Sequence, residues 1–283
     1  MTTGMRLSFY KMSGAGNDFI VADNRDLKLG EEGRSQWIAA LCRRRLSVGA
    51  DGALLIEPAQ GQGHFRMRYY NSDGGEAESC GNGARCIARF ALHVGAAPPR
   101  MKFETLAGLY TAEVLEDGQV EIGMTDPTDL RLGVALDFPD RPSVPVDHLN
   151  SGVPHAVAWV DDVESLDVER LGRAIRRHPA FAPAGANANF VQTLSAQSLR
   201  IRTYERGVEG ETLACGTGCV AAAALGALRG RVKPPVAVLT RGGATLTISF
   251  ERDGERLAHI RLRGEARFVY RGELVEPFPQ PAS

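Results

Sequence analysis

Tyr69–Gly95 reads YYNSDGGEAESCGNGARCIARFALHVG and Tyr204–Gly230 reads YERGVEGETLACGTGCVAAAALGALRG. The two segments align without a gap at an offset of 135. Tyr69 falls on Tyr204, Gly75 on Gly210, Glu76 on Glu211, Cys80 on Cys215, Gly81 on Gly216, Gly83 on Gly218 and Gly95 on Gly230. Such an internal repeat bears on architecture before any local assignment is made. Each copy reads as a strand, a glycine-rich loop, a Cys-Gly-Asn/Thr-Gly turn and then a helix. The chain is therefore predicted to consist of two similar halves, each presenting one cysteine at the mouth of a helix.

Outward from the repeat, alternation of apolar and polar residues recurs in RLSFYKM, HFRMRYYN, MKFETLAGLYTAEVLE, QVEIGM, SLRIRTYE, ATLTISFE and HIRLRGEARFVY. Each run is bounded by turn-forming residues, so antiparallel strands dominate. Helices are expected over residues 33–46, 83–94, 167–177 and 218–229. The predicted fold class is α/β of the α+β kind, with sheets wrapping helices. A chain of 283 residues exceeds the usual single-domain size, so two packed domains are expected. Their boundary is placed near Thr125–Pro127, where proline interrupts a strand.

Composition excludes several function classes. With 43% hydrophobic and 24% charged residues the chain is neither disordered nor collagen-like. A net charge of -1 lacks the footprint of a nucleic-acid binder, and the arginine runs at 43–45 and 173–177 read as solvated helix faces. The N-terminus has no apolar signal core and no apolar stretch reaches bilayer length, so the expected location is the cytosol, away from membranes. Five cysteines in that compartment stay reduced, and none form a CxxC pair.

A cysteine at a helix start sits beside unpaired backbone N–H groups and the positive end of the helix dipole, which favour its thiolate. The same donors cradle a carboxylate, and flanking glycines let the ligand approach. If two such sites close on one amino acid, one thiolate removes the α-proton and the opposite thiol returns one to the other face. Such an arrangement predicts a cofactor-independent epimerase with Cys80 and Cys215 as its acid–base pair, needing no pyridoxal phosphate and no metal. A lone cysteine in such a place is usually a packing residue, as Cys42, Cys86 and Cys219 are read to be. Equivalence across the repeat distinguishes Cys80 and Cys215 from those three. A redox or metal-binding protein using the same two thiols is the alternative from another class.

The blocks FYKMSGAGNDFIVAD, SVGADGALLIE, MRYYNSDGGEAESCGNGARCIARF, NSGVPHAVAWVDD, FAPAGANANFV and TYERGVEGETLACGTGCVAAA occur in order over residues 9–223, within a likeness that runs from about Phe9 to Leu274. In these blocks the chain resembles diaminopimelate epimerase. The resemblance implies two pseudo-symmetric domains, each a mixed, mainly antiparallel sheet around a central helix, with the active site in the cleft between them. It implies that the last strand returns to the first domain, so that residues 1–125 with 265–283 form one half and 126–264 the other. It further implies interconversion of LL- and meso-diaminopimelate, without a cofactor, in a cytoplasmic homodimer supplying lysine and peptidoglycan synthesis. By position, Asn17, Asn71 and Asn187 are the implied substrate amides, with Glu205 beside the reacting end and Arg206 on the distal carboxylate. The backbone donors are Gly81 and Asn82 in one half and Gly216 and Thr217 in the other. His155 is the implied assistant of Cys80, as Glu205 is of Cys215, while Asp51 is read as orienting a loop. Val153 departs from the family pattern, which places an Asn before Pro-His, and a Val cannot hydrogen-bond there. That leaves open a related enzyme acting on another amino acid, of the proline-racemase or phenazine-biosynthesis kind.

Overall fold

The computed structural model describes residues 7–78, 80–139 and 141–274, without the side chain of Arg141. The terminal residues 1–6 and 275–283, included in the expected first half and in the reading of the N-terminus, lie outside the described residues. The chain divides into two compact units, Met1–Ile122 with Glu265–Ser283, and Gly123–Gly264.

In the first unit Ser8–Gly14 and Asn17–Asp23 form a hairpin, and Arg267–Glu273 pairs antiparallel on the outer side of Ser8–Gly14. Asn17–Asp23 runs parallel to Gly52–Glu57, which pairs antiparallel with Phe65–Asn71. Phe65–Asn71 then pairs antiparallel with Glu76–Ala77 and parallel with Arg100–Thr105. Gly108–Val114 and Val120–Gly123 continue the sheet antiparallel. Parallel neighbours need long crossovers, and these carry the unit's two helices, α1 (Arg34–Cys42) and α2 (Gly81–His93).

The second unit repeats this order of pairings. Arg141–Asn150 and Pro154–Trp159 form the hairpin, with Thr128–Phe138 on its outer side. Pro154–Trp159 is parallel to Asn187–Ser195, which is antiparallel to Ser198–Glu205. Ser198–Glu205 pairs antiparallel with Gly210–Thr212 and parallel with Val236–Leu239, and Thr245–Asp253 and Arg256–Gly264 follow antiparallel. The crossovers carry α3 (Val168–Arg176) and α4 (Gly216–Leu228). The mixed, sheet-dominated α/β fold expected from the sequence is therefore present, built twice.

Each central helix packs among the strands of its own unit, α2 on the strands that begin at Ser8, Asn17, Gly52 and Gly108, and α4 on those from Arg141 to Arg256. The run Gly218–Ala227 of α4 is buried on every side. An all-round apolar, alanine-rich helix suits such a place because it buries no polar group and lets strands approach closely. Outer helices cover the other sheet face: Trp37, Ile38 and Leu41 of α1 join a core with Phe9, Ile20 and Leu55. In the second unit Val168 and Ile175 of α3 join Val146, Phe190 and Tyr204.

Three helix boundaries differ by two residues or more from the sequence reading. α1 stops at Cys42, well before residue 46, because the backbone N–H groups of Gly49 and Ala50 return to the carbonyls of Leu41 and Cys42. Arg45 then adopts a left-handed conformation (φ 71°) and Arg44 reaches the carboxylates of Asp18 and Asp51. The central helices begin two residues earlier than expected, at Gly81 and Gly216, immediately after their cysteines.

Candidate active site

Cys80 is the N-cap of α2, in an extended conformation, and its Sγ accepts the N–H of Gly83 at 3.4 Å. A cap with a sulfur acceptor leaves the N–H groups of Gly81 and Asn82 without an intrahelical partner. Around this helix start lies a chain of amides. Arg85 Nη2 donates to Asn82 Oδ1 at 2.8 Å, Asn82 Nδ2 to Asn17 Oδ1 at 2.7 Å, and Asn17 Nδ2 to Asp51 Oδ2 at 3.1 Å. Asn17 is thereby oriented from both ends yet keeps one further donor and one acceptor site. Asp51 also accepts the Asp18 N–H and pairs with Arg44. Asp18, despite burial, is held down to about 2 by hydrogen bonds from Arg44 and Lys11. Tyr69 lies beside Cys80, and its hydroxyl donates to Asn71 Oδ1 at 2.8 Å; burial, reinforced by Cys80, pushes the phenol well above its ordinary value.

Cys215 is the N-cap of α4, also extended, and is only 7% exposed. Its Sγ lies 3.5 Å from Thr217 Oγ1 and beside the carboxyl of Glu205. Burial, then the charge of Glu205, drives the Cys215 thiol well above the usual range, against the smaller opposing effects of Thr217 and the Gly218 N–H. Glu205 is itself raised by burial, partly offset by hydrogen bonds from Thr212 and Cys215; Thr212 Oγ1 is 2.5 Å from Glu205 Oε1. The structure thus brings the expected acidic residue to its cysteine within one unit. The N–H groups of Gly216 and Thr217 open α4 as those of Gly81 and Asn82 open α2.

Asn187 and Arg206 are also brought together, since the Arg206 N–H donates to Asn187 Oδ1 at 2.7 Å. The Arg206 guanidinium touches the Ala184 carbonyl at 3.4 Å. Asn71 belongs to the first unit, exposed at the end of its strand. Val153 accepts the Ser151 N–H through its carbonyl. His155 is wholly buried on Pro154–Trp159, and burial lowers it to about 3, so the ring is neutral.

Sequence reasoning passed over Asn189. It is fully buried, and its amide lies 3.0 Å from His155 Nδ1 while its oxygen accepts the Thr203 hydroxyl. The signal was present in N-A-N-F, where residues 187 and 189 share one strand face. Arg85, likewise unnamed, is a guanidinium with no exposed surface at the foot of the amide chain. Among the described residues no group of three or more His, Cys, Asp or Glu is arranged to hold a metal ion, and no helix is long and apolar enough to cross a membrane.

The profile of the family described as diaminopimelate epimerase matches residues 9–130, mostly in the first unit, and 148–269, mostly in the second, and each stretch carries one of the two cysteines. The chain belongs to the diaminopimelate epimerase family. It is 44% identical to a diaminopimelate epimerase of Aquifex aeolicus (strain VF5), over 95% of this chain and 98% of that one. It is 42% identical to the diaminopimelate epimerase of Methanocella arvoryzae, over 95% and 97% of the two chains. Among solved structures it is similar to a Bacillus anthracis phenazine biosynthesis protein of the PhzF family, with TM-score 0.72 and 16% identity, covering 96% of this chain and 100% of that one. A hydroxyproline epimerase from Agrobacterium vitis matches with TM-score 0.66 and 21% identity over 97% and 94%. At these identities the structural matches speak for the fold alone. The fold of this member of the diaminopimelate epimerase family is the doubled α/β unit described above.

Proposed function

We propose that this chain interconverts LL- and meso-diaminopimelate by moving one α-proton between Cys80 and Cys215. The observation that carries the reading is the equivalence of the two cysteines, each an N-cap of the buried central helix of its unit. In one direction the Cys80 thiolate takes the α-hydrogen, the electron pair passes into the carboxylate, and the Cys215 thiol delivers its proton to the opposite face. The two sulfurs exchange protonation states, and the reverse reaction restores them. Burial and Glu205 make Cys215 the thiol before substrate arrives, so that Cys80 serves as the first base. The carboxylate charge that develops is met by the N–H groups of Gly81, Asn82, Gly216 and Thr217; one donor of this kind contributes on the order of a hundredfold or more in rate.

In this reading residues 1–125 with 265–283 and residues 126–264 are the halves that close on the substrate. Asn17, Asn71 and Asn187 hold its polar groups, Arg206 takes the distal carboxylate, and Glu205 and His155 attend the two sulfurs. No cofactor or metal takes part. The expected setting is the cytoplasm and the expected assembly a homodimer, which light scattering of the purified protein checks. A specific observation favours one second reading: Val153 offers no side-chain hydrogen bond where the family pattern has Asn, which suits a narrower or different amino-acid substrate.

The test is incubation of reduced protein with LL-diaminopimelate in deuterated water, alongside proline and hydroxyproline. Conversion to the meso form with deuterium at the new stereocentre is expected. Turnover of proline alone favours the second reading, and turnover that survives loss of both cysteines excludes either.

A further inference from the structure

The two ring nitrogens of His155 have unlike surroundings. Nδ1 lies 3.0 Å from Asn189 Nδ2, whereas Nε2 is buried without a hydrogen-bond partner among the described residues. The Asn189 amide has no freedom to turn over. Its Oδ1 accepts from Thr203 Oγ1 at 3.0 Å, and its Nδ2 lies 3.1 Å from the Ala156 carbonyl and 3.3 Å from that of Asn187. A flipped amide would set its oxygen against both carbonyl oxygens. The group facing Nδ1 is therefore a donor, and Nδ1 must be an unprotonated acceptor. The ring proton then resides on Nε2.

We propose that Asn189 is a positioning residue that locks His155 as the neutral Nε2–H tautomer, so that His155 enters the reaction as a hydrogen-bond donor and never as a proton acceptor. The proposal rests on the reading that His155 assists the cysteine chemistry. Buried donors left without a partner are rare in folded proteins and tend to mark places completed by a ligand or a reacting group. A thiolate or a carboxylate oxygen presented to Nε2 finds a proton donor already aimed and already dry, while a thiol seeking a base there finds none. Strand geometry explains the precision of the lock. His155 and Asn187 are register partners on adjacent parallel strands, and Asn189, two residues on, faces the same side. The Thr203 hydroxyl comes from the next strand, where it pairs with Asn189.

The experiment is a long-range proton–nitrogen correlation spectrum of histidine-labelled, ligand-free protein, joined to epimerisation kinetics. The wild-type His155 signals are expected in the Nε2–H pattern. Asn189→Asp places a carboxylate oxygen opposite Nδ1 and draws a proton there, so the pattern should change, with kcat falling by about a hundredfold and KM little altered. Thr203→Val removes only the donor to Oδ1 and leaves both carbonyls facing Nδ2, so it should keep the Nε2–H pattern, as should Thr203→Ser. A wild-type ring protonated on Nδ1, or a changed pattern in Asn189→Asp with unchanged kcat, overturns the proposal. If Asn189→Asp does not fold, the wild-type spectrum still decides it. The spectrum is read without substrate, so an Nε2–H ring in a protein inactive on diaminopimelate would defeat the proposed function alone. An active enzyme with the other tautomer would defeat the lock alone.

Discussion

At the start of α2 the cysteine is half-buried, its sulfur accepts a backbone N–H, and its neighbours are amides and a phenol. At the start of α4 the corresponding cysteine is buried, with a threonine hydroxyl and a buried carboxyl beside its sulfur. Backbone and repeat are shared, so the difference lies in what the flanking strands supply. Asn71 stands where the other copy has Arg206, and Tyr69 stands where it has Tyr204. Tyr69 lies beside Cys80, whereas Tyr204 joins the outer core and the carboxyl of Glu205 takes the place beside Cys215. Symmetric scaffolding with asymmetric charge suits a proton relay, because two identical thiols would have no preferred starting state. Burial, and then the neighbouring Glu205 carboxyl, favour the protonated thiol at Cys215.

The largest break in this comparison comes from the sulfurs themselves. Cys80→Ala and Cys215→Ala should each leave a folded protein whose epimerisation rate falls by about three to four orders of magnitude, the upper range for losing an acid or base; chiral chromatography of product checks this, and either variant retaining half its activity refutes the pairing. Next come the glycines three residues on. A Cβ at Gly218 would lie 2.6 Å from Asn189 Oδ1 and 3.3 Å from Cys215 Sγ, whereas at Gly83 the nearest atom is the movable end of Leu54 at 3.2 Å. Gly218→Ala should destabilise by about 1–3 kcal/mol as an overpacked core does, and Gly83→Ala by less, as urea midpoints would show. Equal losses would mean the two helix starts are equally tight.

His155 gives the second unit its own pH dependence. Its folded value, about 3, lies below the ordinary 6.5. Between these the unfolded chain binds a proton that the folded ring refuses, so stability falls as pH drops from 6.5 towards 3. At pH 4.5 the loss attributable to this ring is on the order of 2 kcal/mol relative to pH 7. Urea titrations at both pH values should find that His155→Gln removes that difference, and an unchanged pH slope would reject the assignment. The smallest effect is kinetic. Glu205→Gln removes the charge that helps keep Cys215 protonated, so alkylation of Cys215 by iodoacetamide at pH 8 should quicken a few-fold, on the scale of a modest thiol shift, with Cys80 unaffected. Peptide mapping distinguishes the two sites.

Legibility in the sequence followed the kind of signal. The strands Arg100–Thr105 and Thr245–Asp253 alternate visibly, because one face meets the core and the other meets solvent. Gly52–Glu57 is buried along its whole length and runs parallel to a neighbour, so it has no alternation to read. In Arg141–Asn150 prolines at 142 and 145 hid a strand that pairs on both sides. Residues 43–46 continued a helical pattern, yet the returning backbone at Gly49 and Ala50 ended the helix first.

The sequence by itself determined the doubling, the two cysteines at helix starts, and the glycines that let those helices begin there. These depend on local backbone chemistry, which nearby residues specify. Only the tertiary structure decided which polar side chains stand around each sulfur, why Cys215 holds a proton, and that Asn189 fixes the face His155 presents. Such contacts join residues on different strands, and orientation within them is set by hydrogen-bond partners that no single stretch of chain contains.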